Sequence, residues 1–184
     1  MRSGASEPRR APRPLRPSPI PFDVTSVPRS LRPAHPDEFD AIRALLRACD
    51  LPHDDLTPEH LSHFFVAAGG ASLQGCVGLE PGGDAALLRS LAVRPGARGQ
   101  GLGGRLLTAA ERRARQMGLR ALYLLTTTAD GYFERHGYVR VERDALTPAL
   151  QKTEEAARLC PASATCMRKR LAAKRDGLAE SDSS

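Results

Sequence analysis

Residues 99–104 read Gly-Gln-Gly-Leu-Gly-Gly, four glycines in six positions, with Arg98 immediately before them. A run of this kind narrows what the chain can fold into. Glycine loses more backbone freedom on folding than any other residue, so an idle turn built this way is unfavourable. A strand-like stretch enters the run at Val93-Arg94-Pro95, and an apolar-periodic helix leaves it over 101–117, ended by Gly118 as a C′ glycine. A strand feeding a glycine loop and then a helix leaves several backbone N–H groups unpaired at the helix start. These carry roughly half a positive charge. Without Cβ atoms the loop admits a close ligand, and Arg98 adds a fork of donors. Phosphate is the chemistry that fits.

Three phosphate ligands compete. Gly99, Gly101 and Gly104 satisfy G-x-G-x-x-G, but a dinucleotide site expects an acidic residue about 20 positions on, at the end of the next strand. That strand ends in Thr126-Thr127-Thr128, and the first acid is Asp130. A nucleoside-triphosphate loop fails because no Gly-Lys-Ser/Thr follows. Several strands also precede the loop, whereas a dinucleotide site follows the first.

Those earlier segments read as an antiparallel meander. A short strand at Ser30–Arg32 is followed by a helix opened by His35-Pro36-Asp37, with Phe39, Ile42, Leu45, Leu46 and Cys49 on one face. A short helix over Pro58–His63 leads to strands at Phe64–Ala68, Leu73–Glu80 and Asp84–Val93. After the glycine loop and its helix come a buried strand at Ala121–Thr128, a short helix at Asp130–His136, a strand at Tyr138–Val141, a helical stretch from Pro148 to Leu159 and a last strand near Thr165–Arg168. The fold class is therefore mixed α/β.

Composition bounds the partners. Of the net charge of +6 on 184 residues, residues 1–32 carry +5, from seven Arg against Glu7 and Asp23. The body from 33 to 172 carries only +2, which argues against a nucleic-acid-binding face. No apolar run is long enough for a membrane span. Four scattered cysteines and no secretory h-region point to reduced thiols in the cytoplasm. The Pro/Arg-rich residues 1–28 read as a disordered extension, 29–172 as the folded domain and 173–184 as a flexible tail.

Val93-x-Pro95-x-x-Arg98-Gly-Gln-Gly101-x-Gly103, followed by Phe133-Glu-Arg-His-Gly137-Tyr138, resembles the GNAT N-acetyltransferases over about residues 30–170. The resemblance implies a mixed sheet with an antiparallel N-terminal meander and two splayed parallel strands, here 87–93 and 121–127, flanked by helices. It implies acetyl-CoA as co-substrate, with Leu91, Ala92 and Val93 facing pantetheine and the acetyl group, and Arg98, Gly99, Gln100, Gly101, Leu102, Gly103 and Gly104 holding the pyrophosphate. The segments LLRSLAV, LYLLTTTADGYFERHGY and LCPASATCMRK are further similar to the branch encoded with arsenic-resistance genes and to short N-acetylglutamate synthases. Both imply a small amino-acid-like acceptor, and the family often forms homodimers.

Acetyl transfer needs a neutral amine, a donor for the tetrahedral oxygen and a proton for the leaving thiolate. Glu80, at a strand end near the expected cleft, is the candidate base acting through water; a solvated strand-end Glu is the plain alternative. The backbone N–H of Val93 is the candidate oxyanion donor. The position that carries an acidic Tyr in many family members is Phe133 here, which reads as a wall for pantetheine. Tyr132 is the neighbouring phenol, rotated about 100° around the helix, and solvent is the other proton source. Arg89 alternates with Leu87, Leu91 and Val93 on one strand face and needs a partner: either the acceptor's carboxylate or an internal one such as Glu80 or Asp84. Thr126 and Thr127 sit where α/β sites form. Cys160 and Cys166 raise the question of arsenic binding, and no conventional metal site is expected. The rival readings are a glutamate N-acetyltransferase of arginine biosynthesis, a non-catalytic acyl-CoA-binding module prompted by Phe133, and a nicotinamide-dependent enzyme.

Overall fold

The computed structural model describes residues 30–70 and 72–172. The expected extension (1–28) and tail (173–184) lie outside the described residues. Seven strands form one mixed sheet: β1 (Ser30–Pro33), β2 (Phe64–Gly69), β3 (Ser72–Gly82), β4 (Ala85–Val93), β5 (Ala121–Thr126), β6 (Val139–Val141) and β7 (Thr165–Arg170). Their spatial order is β1-β2-β3-β4-β5-β7-β6. Every neighbouring pair is antiparallel except β4–β5, which is parallel. No helix among the described residues is long and apolar enough to cross a membrane.

Helix α1 (Phe39–Ala48) is introduced by a 3-10 turn at Pro36–Glu38. The His35 ring and the Glu38 carboxylate close a reciprocal cap there, and Arg32 grips the same carboxylate through two hydrogen bonds of 2.8 Å. Ile42, Leu45 and Leu46 are fully buried against Phe64, Val66, Leu73, Cys76 and Ala92. On the other face of the sheet, α2 (Leu102–Gln116) sets Leu102, Leu106, Leu107, Ala110 and Ala114 against Val77, Leu79, Ala86 and Leu88. The helix comes so close that a Cβ on Gly75 would lie 2.8 Å from both Leu106 Cδ1 and the Ala92 carbonyl oxygen. Helix α3 (Asp130–Arg135) lies on the same side and buries Phe133.

The stretch from Pro148 to Leu159 is not one helix. Helix α4 covers only Pro148–Gln151, and a separate π-helical turn covers Glu155–Leu159. Thr153 marks the break, its hydroxyl donating to the Leu150 carbonyl and accepting from the Ala156 N–H. Leu146, Leu150 and Ala156 still cover Ala85, Leu87 and Tyr123. β5 also stops at Thr126, two residues short of the expected end, because Thr126 Oγ1 accepts from the Ala129 N–H and turns the chain into α3. β3 runs on through Pro81 and Gly82, so the turn falls at Gly83 and Asp84.

Candidate active site

β4 and β5 pair at only three positions, Ala85–Ala121, Ala86–Leu122 and Leu87–Tyr123. β4 continues to Val93 and β5 to Thr126, so the strands part beyond Leu87 and a gap opens at their carboxyl ends. The N–H of Arg94 donates to the Gln74 carbonyl on the β3 side at 2.8 Å. Strand alternation therefore turns the N–H and C=O of Val93 away from β3 and toward the gap. The carbonyl is met there by Arg98 Nε at 2.9 Å and by Cys49 Sγ at 3.6 Å.

A bulge shapes the edge of this gap. Between Cys76–Ala92 and Gly78–Arg89, β4 carries one residue more than β3. The extra residue centres on Ser90, whose φ is +57°, in the left-handed region. The pleat changes face at this point. Leu87 packs on the α4 side, whereas Leu91 and Val93 pack with Leu88 on the α2 side. Arg89 thus does not share a face with Leu91 and Val93, as straight alternation would have it.

Two cavities adjoin the gap. The larger, about 600 Å³, runs along the glycine loop. Leu91, Ala92, Val93, Arg98, Gly99, Gly101, Leu102, Gly103, Gly104, Tyr132 and Phe133 line it, as does Cys49 at the end of α1. Among 98–104 only the exposed Gln100 lies off this wall. Gly99 and Gly101 have φ of +76° and +73°, conformations that strain any residue with a Cβ. Gly103 serves a different purpose: a Cβ there would lie 2.9 Å from Tyr132 Oη. Close seating of α3 on the start of α2, besides ligand approach, explains that glycine. Tyr132 Oη is buried without a hydrogen-bond partner, and burial raises its pKa.

The smaller cavity, about 300 Å³, lies beyond the gap. It shares Leu51, Leu91, Thr128, Ala129 and Phe133 with the first, so the two meet across the Phe133 ring. Thr126 and Thr127 line it together with Asp50, Ser90, Glu155 and Cys160. Asp50 to Pro52 supply the mouth, whereas His53 and Asp54 lie off the lining.

Arg89 forms part of this wall, but its guanidinium is spoken for. Nη1 lies 2.6 Å from Asp55 and 2.8 Å from Glu80, Nη2 donates to Asp55 at 2.8 Å, and Nε lies 2.8 Å from Glu155 Oε2. The last contact is close but poorly aligned, so neither Nε nor Oε2 has a well-directed hydrogen bond. With its side chain only 1% exposed and three carboxylates around it, Arg89 is a structural counter-ion in this state rather than a free clamp for an acceptor carboxylate. Burial alone would lower its pKa, but the bond to Asp55 and the charges of Glu155, Asp55 and Glu80 more than offset that and keep it protonated. Asp84, the other expected partner, instead faces Arg120 at 4.0 Å on the surface. Glu80 sits behind Arg89, off both cavity walls, with Oε2 accepting from the guanidinium.

As partners of Arg89, Asp55 and Glu155 had no signal in the sequence; from its loop position Asp55 reads, with His53 and Asp54, as a residue of the acceptor mouth. Asp55 lies in a polar loop 34 positions before Arg89, and Glu155 in what reads as an ordinary solvated helix. Cys160 stands on the smaller cavity's wall and Cys166 is buried. Burial raises both thiols, Cys160 to about 11, so neither is a ready thiolate at neutral pH. All four cysteines are free. Among the described residues no group of three or more His, Cys, Asp or Glu side chains is placed to hold a metal ion.

Comparison with known proteins agrees with this geometry. Residues 60–140 match the family model described as an acetyltransferase (GNAT) domain. A Neisseria meningitidis protein named amino-acid acetyltransferase is 30% identical over 131 residues, covering 67% of this chain and 30% of that protein. A Ralstonia nicotianae protein of the same name is 33% identical over 93 residues, covering 50% of this chain and 21% of its own length. The chain thus spans less than a third of the length of the curated relatives it matches. Among solved structures, N-acetylglutamate synthase from Neisseria gonorrhoeae complexed with coenzyme A and N-acetyl-glutamate superposes with a TM-score of 0.69 at 26% identity, over 78% of this chain and 35% of that one. Rv2747 from Mycobacterium tuberculosis, solved in complex with CoA, shares the fold at a TM-score of 0.65 and 21% identity, over 78% of this chain and 99% of its own. The splayed β4–β5 pair, the glycine loop between them and the match over 60–140 converge on one assignment: the chain carries a GNAT acetyltransferase domain.

Proposed function

We propose that this chain transfers the acetyl group of acetyl-CoA to the amine of a small, amino-acid-like acceptor. The observation that carries the reading is the meeting of two cavities at the β4–β5 gap, one walled by the glycine loop and one by Thr126, Thr127 and Glu155. The residues present fit acetyl-CoA. The loop offers left-handed glycine backbone, the start of a fifteen-residue helix and the Arg98 side chain to a diphosphate. The main chain of Leu91–Val93 borders the gap through which a pantetheine arm reaches the acceptor side, with Phe133 as its wall. The Val93 N–H, turned to the gap, is placed to donate to the oxygen that becomes negative as the amine adds; one such donor lowers the barrier by about 3–4 kcal/mol. Tyr132 Oη, buried and unpartnered on the loop side, is the phenol available to the leaving sulfur.

Amino-acid acetyltransferases among the relatives, and N-acetyl-glutamate in one solved neighbour, support an amino-acid-like acceptor. They favour glutamate as the first compound to try. An arsenic-bearing amino acid is the second acceptor to try, prompted by the similarity of the chain's strand segments alone, and neither Cys160 nor Cys166 is offered as an arsenic ligand. The test is CoA release with a panel of amino acids, glutamate and an arsinothricin-like amine. Saturable turnover with one of them is expected. Tight acetyl-CoA binding with no turnover for any amine would favour a non-catalytic acyl-CoA-binding module.

A further inference from the structure

Glu155 is the one carboxylate of the Arg89 cluster that reaches the smaller cavity. Asp55 and Glu80 are turned to the guanidinium and lie off the wall, whereas Glu155, only 7% exposed, is on the wall and holds Oε2 2.8 Å from Arg89 Nε without an aligned hydrogen bond. Its placement is built. The π-helical turn Glu155–Leu159 closes with the Cys160 N–H donating to the Glu155 carbonyl at 2.9 Å. Arg143 then pins the turn, its guanidinium donating to the carbonyls of Pro161, Ala156 and Cys160. A carboxylate held rigidly on the wall of the acceptor cavity, paired with Arg89 at 2.8 Å but without an aligned hydrogen bond at Oε2, keeps capacity to accept from a ligand.

Resting on the acetyltransferase reading above, we propose that Glu155 is the group that receives the proton of the acceptor's ammonium. The amine arrives protonated, its N–H bond breaks toward Glu155, and the freed lone pair attacks the thioester carbon. As the C–S bond breaks, the second N–H proton is passed to the CoA sulfur. The proton on Glu155 leaves to solvent through the cavity mouth, so one proton is released per amide formed.

The surroundings suit this task. The groups facing Glu155 are Arg89 from β4, Asp55 from the loop before Pro58, Glu80 from β3, and Cys160, whose thiol lies 3.9 Å from Oε1, with Arg143 beyond it. Burial raises the Glu155 carboxyl; Arg89 lowers it in part, and Asp55 and Glu80 raise it again, bringing it to about 7. Three carboxylates around one guanidinium leave an excess of negative charge beside the cavity, which attracts an ammonium and keeps the carboxyl able to take and return a proton near neutrality.

The experiment compares wild type and Glu155→Gln with the best amine of the panel, as pH profiles of kcat/KM. In the wild type the rate is expected to rise with pH through an apparent pKa near 7. In Glu155→Gln this limb is lost and kcat falls about a hundredfold or more, while acetyl-CoA affinity stays within about twofold. A variant that keeps both limb and rate overturns the assignment. If Glu155→Gln does not fold, carbon-13 NMR of glutamate-labelled wild type decides: one glutamate carboxyl titrating near neutrality and shifting when the amine binds supports it, and all glutamates titrating in the ordinary range overturns it. A wild type that acetylates no amine instead removes the transferase reading itself.

Discussion

A guanidinium as buried as that of Arg89 depends on its carboxylates in place of water. Removing it leaves Asp55, Glu80 and Glu155 together with no counter-ion. Arg89→Met is therefore expected to destabilise the fold by about 3–5 kcal/mol, read from urea unfolding at pH 7. A loss under about 1 kcal/mol would mean that the carboxylates find solvent. Glu155 has the opposite sense. Because its folded-state pKa is raised to about 7, it favours the folded chain at a pH below its unfolded value, and that contribution fades as pH climbs toward 7. Relative to Glu155→Gln, the wild type should lose stability between pH 5 and pH 8; urea midpoints at the two pH values check this, and an unchanged difference would contradict it. The need of Arg89 for a partner was legible from its apolar strand. The identity of two of the three partners was not, because Asp55 and Glu155 reach it only through the tertiary packing of a loop and a π-helical turn.

At the scale of elements, what the sequence concealed was a one-residue excess in β4. Alternation along LLRSLAV reads straight through, and nothing in Arg-Ser-Leu marks Ser90 as the position that turns left-handed. The bulge directs Arg89 to one face and Leu91 and Val93 to the other, and in doing so creates the edge of the site. Ser90→Val should cost about 1–2 kcal/mol, since a β-branched residue tolerates this φ poorly, whereas Ser90→Gly should stay within about 0.5 kcal/mol. Thermal unfolding of the two variants decides it; equal losses would mean that the positive φ carries no strain. Elements with strong punctuation were legible: the α1 face, the turn at Pro58–His63 and the end of α2 at Gly118, whose φ is +76°. The Pro148–Leu159 stretch was not, because a break made by the Thr153 hydroxyl leaves the helical spacing of apolar residues intact.

The whole molecule is organised around strands that pair for three residues and then separate. α2 and α3 close one face of the gap, and α1 with the loop after it and the Glu155 turn close the other. The glycine loop was legible as a phosphate cradle because its chemistry is local. The acceptor cavity was not, because its wall is drawn from residues 50–52, 88–91, 124–129 and 155–164. If the loop holds the diphosphate, Gly101→Val, at a φ of +73°, should weaken acetyl-CoA binding about tenfold in calorimetry with the fold retained. The most direct test of the account is a crystal structure with coenzyme A bound. The diphosphate is expected against the main chain of 98–104, with the thiol end in the β4–β5 gap beside Val93 and facing the Glu155 cavity. Coenzyme A seated elsewhere, with the loop empty and the gap closed by side chains, would contradict it.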